Sequence, residues 1–147
     1  MLLNRGISEA YHYLNTTKDD ILDPLLLDNM REGAKLLISH IAANNQVYVQ
    51  IDEDCDGYTS AAVLLNYLNL VFPHFTQNNI TYRTHDHKAH GIDMDAIPKG
   101  TKLVIIPDAG SNEFDKHEKL AAAGMQILIL DHHNTDRLPP QACLINN

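Results

Sequence analysis

Asp52, Asp54 and Asp56 alternate with other residues directly after the apolar run Val47-Tyr48-Val49, and Gly57, Thr59 and Ser60 follow them. In an extended chain alternate side chains share a face, so the three carboxylates are expected to point the same way. Like charges that close repel unless a cation sits among them. An all-oxygen cluster suits a hard cation such as Mg²⁺ or Mn²⁺. The plainer reading of this stretch alone is an acidic turn that caps a helix. Two more polar clusters follow apolar runs: Pro107-Asp108-Ala109-Gly110 after residues 102–106, and Asp131-His132-His133 after residues 125–130.

The elements between these clusters follow from periodicity and chain breakers. Residues 8–14 read as a short helix. Pro24 is expected to open a longer one, because its missing N–H costs nothing in a first turn. From there Leu26, Leu27, Met30, Ala34, Leu37, Ile38 and Ile41 recur at three- and four-residue steps, the mark of one buried face. Asn44-Asn45 ends that helix, and residues 47–51 are the first strand. Residues 60–71 are helical, with free N–H groups at their start that suit a phosphate, and Pro73 stops them. A short strand is expected over 80–83, and then a polar, histidine-rich loop from Thr84 to Gly91. Residues 102–106 and 125–130 are continuous apolar strands, as in a parallel sheet covered on both faces. Residues 113–123 form the helix between them, closed by Gly124, and 142–145 is a last short strand.

Strands alternating with helices predict an α/β fold, an open, mainly parallel sheet flanked by helices in a Rossmann-like arrangement. Ligands of such sheets bind beyond the carboxyl ends of the strands. All three polar clusters fall at such ends, which turns three acidic loops into one candidate site. Asp54, Asp56, Asp108 and His132 could then hold two divalent cations, with Asp108 the expected bridge. An imidazole among carboxylates favours Mn²⁺ over Mg²⁺. Two-metal sites serve phosphoryl and phosphodiester hydrolysis, and His133 would be left to face the substrate phosphate, unless it is a cap or core histidine.

The segments Asp54-Cys55-Asp56-Gly57, Pro107-Asp108-Ala109-Gly110 and Asp131-His132-His133, in this order, resemble the DHH phosphoesterase superfamily. Residues 13–15, 22–24, 28–30 and 52–60 resemble its RecJ-like branch, the single-stranded-DNA-specific exonucleases that depend on Mn²⁺ or Mg²⁺ and run 5′ to 3′. The resemblance covers nearly the whole chain. It implies Asp54, Asp56, Asp108 and His132 as metal ligands, His133 beside the scissile phosphate and Asp52 as a carboxylate standing behind the ligands. Lys88, His90 and Gly91 fall in a segment that lies near the substrate in the family. The family often has a histidine four residues before the first metal aspartate, where this chain has Gln50. It also has a later ligand aspartate and a second, substrate-gripping domain. The expectation is therefore one DHH-type domain over 1–147, incomplete at its C-terminal side.

Composition narrows the classes. A formal net charge of −8 argues against a histone-like polycation, though not against a nucleic-acid enzyme whose cations reverse the local field. Cys55 and Cys143 have no paired spacing and suggest a reducing compartment, with a cytoplasmic protein expected. No apolar run is long enough to span a membrane. His85 and His87 are expected to be solvated, and His90 is divided between solvent and substrate. The expected substrate is single-stranded DNA or an oligonucleotide, with a homodimer or another protein partner to cover exposed sheet edge. Two alternatives stand beside this: a non-catalytic binding or regulatory module of the same fold, and a phosphoesterase for a dinucleotide or pyrophosphate.

Overall fold

The computed structural model describes residues 2–85, 90–135 and 137–147. Its centre is a wholly parallel five-stranded sheet of β1 (Gln46–Ile51), β2 (Ile80–Thr84), β3 (Thr101–Pro107), β4 (Gln126–Asp131) and β5 (Cys143–Asn146), in the order β2-β1-β3-β4-β5. β1 pairs with β2 through Val47 opposite Ile80, and with β3 through Val49 opposite Ile105. β3 pairs with β4 through Ile106 opposite Ile129, and β4 with β5 through Ile129 opposite Leu144.

Both faces are covered, which explains the unbroken apolar strands. Val47, Val49, Ile51, Leu103, Ile105, Leu128 and Ile145 face one way, against α2 (Met30–Ala42), α3 (Cys55–Val71) and α4 (Pro73–Asn79). The alternate residues Tyr48, Val104, Ile106, Ile127, Ile129 and Leu144 face the other way, against Ile92 and against Leu120 of α5 (Phe114–Ala122). A period of two on β1, β3, β4 and β5 thus builds two separate cores, while β2 adds only Ile80 to the first. A short α1 spans Ala10–Leu14. Among the described residues no helix is long and apolar enough to cross a membrane.

Four expectations change. Pro24 opens only a three-residue 3₁₀ turn, Pro24–Leu26, and α2 starts at Met30. Asn29 intervenes with a φ of 60° and donates from its side chain to the Leu144 carbonyl at 2.8 Å. This turns the chain before α2, and Leu26 is left exposed rather than on the buried face. Pro73 follows the end of α3 at Val71 as expected, but after Phe72 it also occupies the first turn of a helix not foreseen, α4, where a missing N–H is harmless. Most consequentially, α3 starts at Cys55 and not at Ser60. Asp52, Asp54 and Asp56 therefore do not alternate along one extended segment; Asp54 caps the helix and Asp56 lies in its first turn.

Candidate metal centre

Three neighbouring strands of the sheet, β1, β3 and β4, end at the same edge, and each delivers polar side chains there. After β1 the chain turns sharply at Asp52 and enters α3. The Asp54 carboxylate accepts the Gly57 N–H at 2.9 Å, and this bond holds Asp54 below the usual carboxylate range. Because α3 begins here, the N–H groups at residues 60 and beyond, expected to be free for a phosphate, lie inside the helix instead of at its start. Gly57 allows this close entry: a Cβ there would lie 2.6 Å from the Asp52 carbonyl oxygen.

Asp108 follows β3 with a φ of 69°, a conformation rare outside glycine and best tolerated by aspartate and asparagine. Its N–H donates to the Leu130 carbonyl at 2.6 Å, so the unusual backbone is tied to β4. Its side chain is buried. One oxygen, Oδ1, lies 3.0 Å from His132 Nε2. The other, Oδ2, is buried with no hydrogen-bond partner; among the described residues only His117 Nδ1 shares that condition. Burial, and then the charges of Asp56 and Asp54, push the Asp108 pKa up.

Two sets of potential ligand atoms meet at this residue. Asp52, Asp54 and Asp108 each offer an atom within 4.8 Å of the others, and so do Asp108, His132 and His133. Asp108 belongs to both. Asp56 is exposed at the rim, with Oδ2 3.6 Å from His132 Nε2. An orphaned buried carboxylate oxygen shared by an all-oxygen group and a mixed oxygen–imidazole group fits hard or borderline divalent cations. Of the residues marked by sequence, the structure thus brings together Asp54, Asp108 and His132, adds Asp52 beside them, and sets Asp56 next to His132.

His133 is oriented by a residue to which sequence reasoning gave no role. Asp131, at the end of β4, accepts from His133 Nδ1 at 2.7 Å and from the backbone N–H of His132 and His133 at 2.7 and 3.1 Å. It also accepts from the Ser111 hydroxyl and, at 3.3 Å, from the Ser111 N–H. Burial pushes Asp131 up, but these bonds outweigh it and hold its pKa at about 2. The residue is a carboxylate, so His133 Nδ1 donates and Nε2 is the nitrogen left for the cleft; the same bond raises the His133 pKa. The aspartate directly before two histidines was a visible signal. Ser111 was not, because its contact with Asp131 exists only in the folded chain.

His133 and His90 both line a cleft of about 430 Å³, and His90 Nδ1 lies 3.1 Å from Asp52 Oδ2. This hydrogen bond raises the His90 pKa. Gly91 sits beside it with a φ of 80°. Lys88 and His87 lie outside the described residues. His85 is not solvated as expected: it is buried, and its Nε2 donates to the Gly91 carbonyl at 2.6 Å. Gln50 is buried too. Its carboxamide accepts from the Tyr48 hydroxyl at 3.0 Å and donates to the Arg83 carbonyl at 3.2 Å, so it serves the sheet.

The family model described as "DHH family, N-terminal domain" matches residues 46–147. Over 147 residues the chain is 40% identical to a Bacillus subtilis protein named as an SPbeta prophage-derived single-strand DNA-specific exonuclease, YorK, covering 100% of this chain and 25% of YorK. It is 28% identical over 155 residues to the single-stranded-DNA-specific exonuclease RecJ of Haemophilus influenzae, covering 99% of this chain and 26% of that protein. A crystal structure of exonuclease RecJ bound to manganese superposes with a TM-score of 0.71, at 23% identity, over 86% of this chain and 33% of the other. The chain spans about a quarter of the length of the curated relatives it matches.

Proposed function

The chain belongs to the DHH family, and on that premise we propose that its strand-end cluster hydrolyses phosphodiester bonds in single-stranded DNA with two divalent cations, Mn²⁺ preferred and Mg²⁺ accepted. Asp54, Asp56, Asp108 and His132 would hold the cations. The observation that carries this reading is Asp108: one buried carboxylate belongs to both potential ligand groups and keeps an oxygen without a partner. Bound there, divalent cations supply Lewis-acid stabilisation of phosphate charge and a nucleophilic water at neutral pH.

The chain's own residues do the rest. Asp131 fixes the His133 ring and favours its protonated form, in which Nε2–H offers a hydrogen bond or a proton to a phosphate oxygen. Asp52 holds His90 in the lining of the same cleft, where an imidazole beside a carboxylate suits a second phosphate contact. Gly91 lines the same cleft, and Lys88, outside the described residues, is proposed as a further substrate contact. An apolar groove of about 900 Å³ adjoins Asp56 and His132 and carries Val63 and Tyr67 on its wall. Such a surface suits the faces of unstacked bases, which bind aromatic and apolar side chains with little regard to sequence.

The test is hydrolysis of 5′-labelled single-stranded DNA in Mn²⁺ by the wild-type chain, Asp108→Ala and His132→Ala. Wild-type turnover that both substitutions abolish is expected; metal-dependent turnover that survives either one refutes the reading. Running dinucleotides and pyrophosphate alongside separates a small-substrate phosphoesterase. A second reading, a binding module without turnover, is favoured by Gln50, whose carboxamide is already engaged at both ends. It predicts Mn²⁺ binding with no hydrolysis of any of these substrates.

A further inference from the structure

The peptide that follows His90 is held from three sides. Glu113, at the entry to α5, accepts the Ile92 N–H through Oε2 at 2.6 Å. Lys116, one turn later, donates to the Ile92 carbonyl at 2.8 Å and also pairs with Glu113 Oε1. His85 donates to the carbonyl of Gly91 at 2.6 Å. The Ile92 side chain is itself buried in the second core, with Val104 and Ala109. Gly91 makes the approach possible, since its φ is 80° and a Cβ would lie 2.3 Å from Glu113 Oε2. Charge-assisted hydrogen bonds of this kind are the stronger ones in proteins. Here a carboxylate and an ammonium, already paired, divide the two polar groups of one residue between them.

We propose that Glu113 and Lys116 are positioning residues for His90: by gripping the backbone of Ile92 they hold the His90 ring against Asp52, in the cleft that His133 also lines. The inference rests on the reading of this cleft as a phosphodiester site and adds to it the residues that set one wall. Neither Glu113 nor Lys116 joins either potential ligand group. Their loss should therefore be felt in substrate capture rather than in metal binding.

The test compares wild type with Glu113→Ala, Glu113→Gln, Lys116→Met, His90→Ala and the double variant His90→Ala/Glu113→Ala. KM and kcat are measured on labelled single-stranded DNA in Mn²⁺, and Mn²⁺ binding by calorimetry. Glu113→Ala and Lys116→Met are expected to raise KM about tenfold, as His90→Ala does, a displacement effect rather than a chemical one. Mn²⁺ stoichiometry should stay at the wild-type value. Glu113→Gln, which keeps an acceptor for the Ile92 N–H, should recover most of the loss. The double variant should be no worse than His90→Ala alone. If His90→Ala raises KM and Glu113→Ala does not, or if the two losses multiply, the positioning role is wrong while the phosphodiester reading stands. The imidazole resonances of His90, read by NMR, need no turnover and no intact reading of function. They should shift in Glu113→Ala and return towards wild type in Glu113→Gln. Unchanged His90 signals in a folded Glu113→Ala protein overturn the proposal.

Discussion

Asp131 Oδ1 accepts three bonds at once, from His133 Nδ1 at 2.7 Å and from the backbone N–H groups of His132 and His133. One carboxylate oxygen therefore sets both the turn that follows β4 and the ring that hangs from it. Asp131→Asn keeps the size but replaces an anion with a weaker acceptor. Turnover is expected to fall by about 10- to 100-fold, the usual cost of losing the partner that orients a functional histidine. Mn²⁺ stoichiometry should hold, because Asp131 belongs to neither potential ligand group. Loss of metal binding in this variant would mean that the carboxylate acts on the ligand group to which His132 and His133 belong, and not on a substrate contact alone.

Asp108→Asn tests the shared position directly. The amide fills the same space but brings no charge to the buried site. Mn²⁺ binding is expected to drop from two ions to at most one, with no detectable hydrolysis, and calorimetry with the labelled-DNA assay reads both. Chelation of wild type should remove turnover in the same way, and re-addition of Mn²⁺ should restore it. Two tightly bound ions in Asp108→Asn would rule out Asp108 as the bridge.

Gly57→Ala should destabilise the protein even though alanine is the better helix former. The new methyl would meet the carbonyl oxygen and the Cβ of Asp52 at 2.6 and 2.8 Å. Overpacking of this kind costs about 1–3 kcal/mol, measured as a lower urea midpoint. Activity should fall further than stability, since Asp52 and Asp54 stand on either side of the collision. A midpoint at or above wild type would show that the entry to α3 relaxes freely.

Tyr48 supplies a pH dependence of stability through a residue that belongs to neither potential ligand group. Burial, and then the Asp93 charge, push its pKa up to about 12, with Arg83 opposing. An unfolded tyrosine titrates near 10. The folded state thus holds the phenolic proton more tightly, and the associated stability is complete below pH 10 and is lost as pH rises through 12. The change amounts to about 2–3 kcal/mol. Urea midpoints should fall across that window in wild type and fall less in Tyr48→Phe. An equal fall in both would assign the loss to other groups.

The sheet and the edge where the site forms were legible because parallel strands covered on both faces leave long apolar runs, and because polar residues bunch where those runs stop. Asp108 and the pair His132-His133 could be marked on that ground. The start of α3 could not. Cys55 and Asp56 look no more helical than their neighbours, and it is the Asp54 cap on Gly57 that begins the helix there. Pro73 is equally silent, since proline both ends helices and opens them. The hold of Ser111 on Asp131, and of Glu113 and Lys116 on Ile92, joins segments that meet only after folding. His85 misled for the same reason: a histidine in a polar stretch reads as solvated until the Gly91 carbonyl is seen against it.

The strand order β2-β1-β3-β4-β5 has a consequence for how the chain reaches this state. The potential ligand residues come from the ends of β1, β3 and β4, and β2 with its own connections lies between β1 and β3 in the chain. No local hairpin brings any two of them together. Contacts of this kind are closed late and slowly, because loop-closure entropy is spent before the pairing returns anything. If the cluster holds a cation, it is in that sense a proofreader of sheet assembly: a chain with one strand out of register would have no place for the ion. A cation that binds only the finished edge would draw the folding equilibrium towards it by mass action.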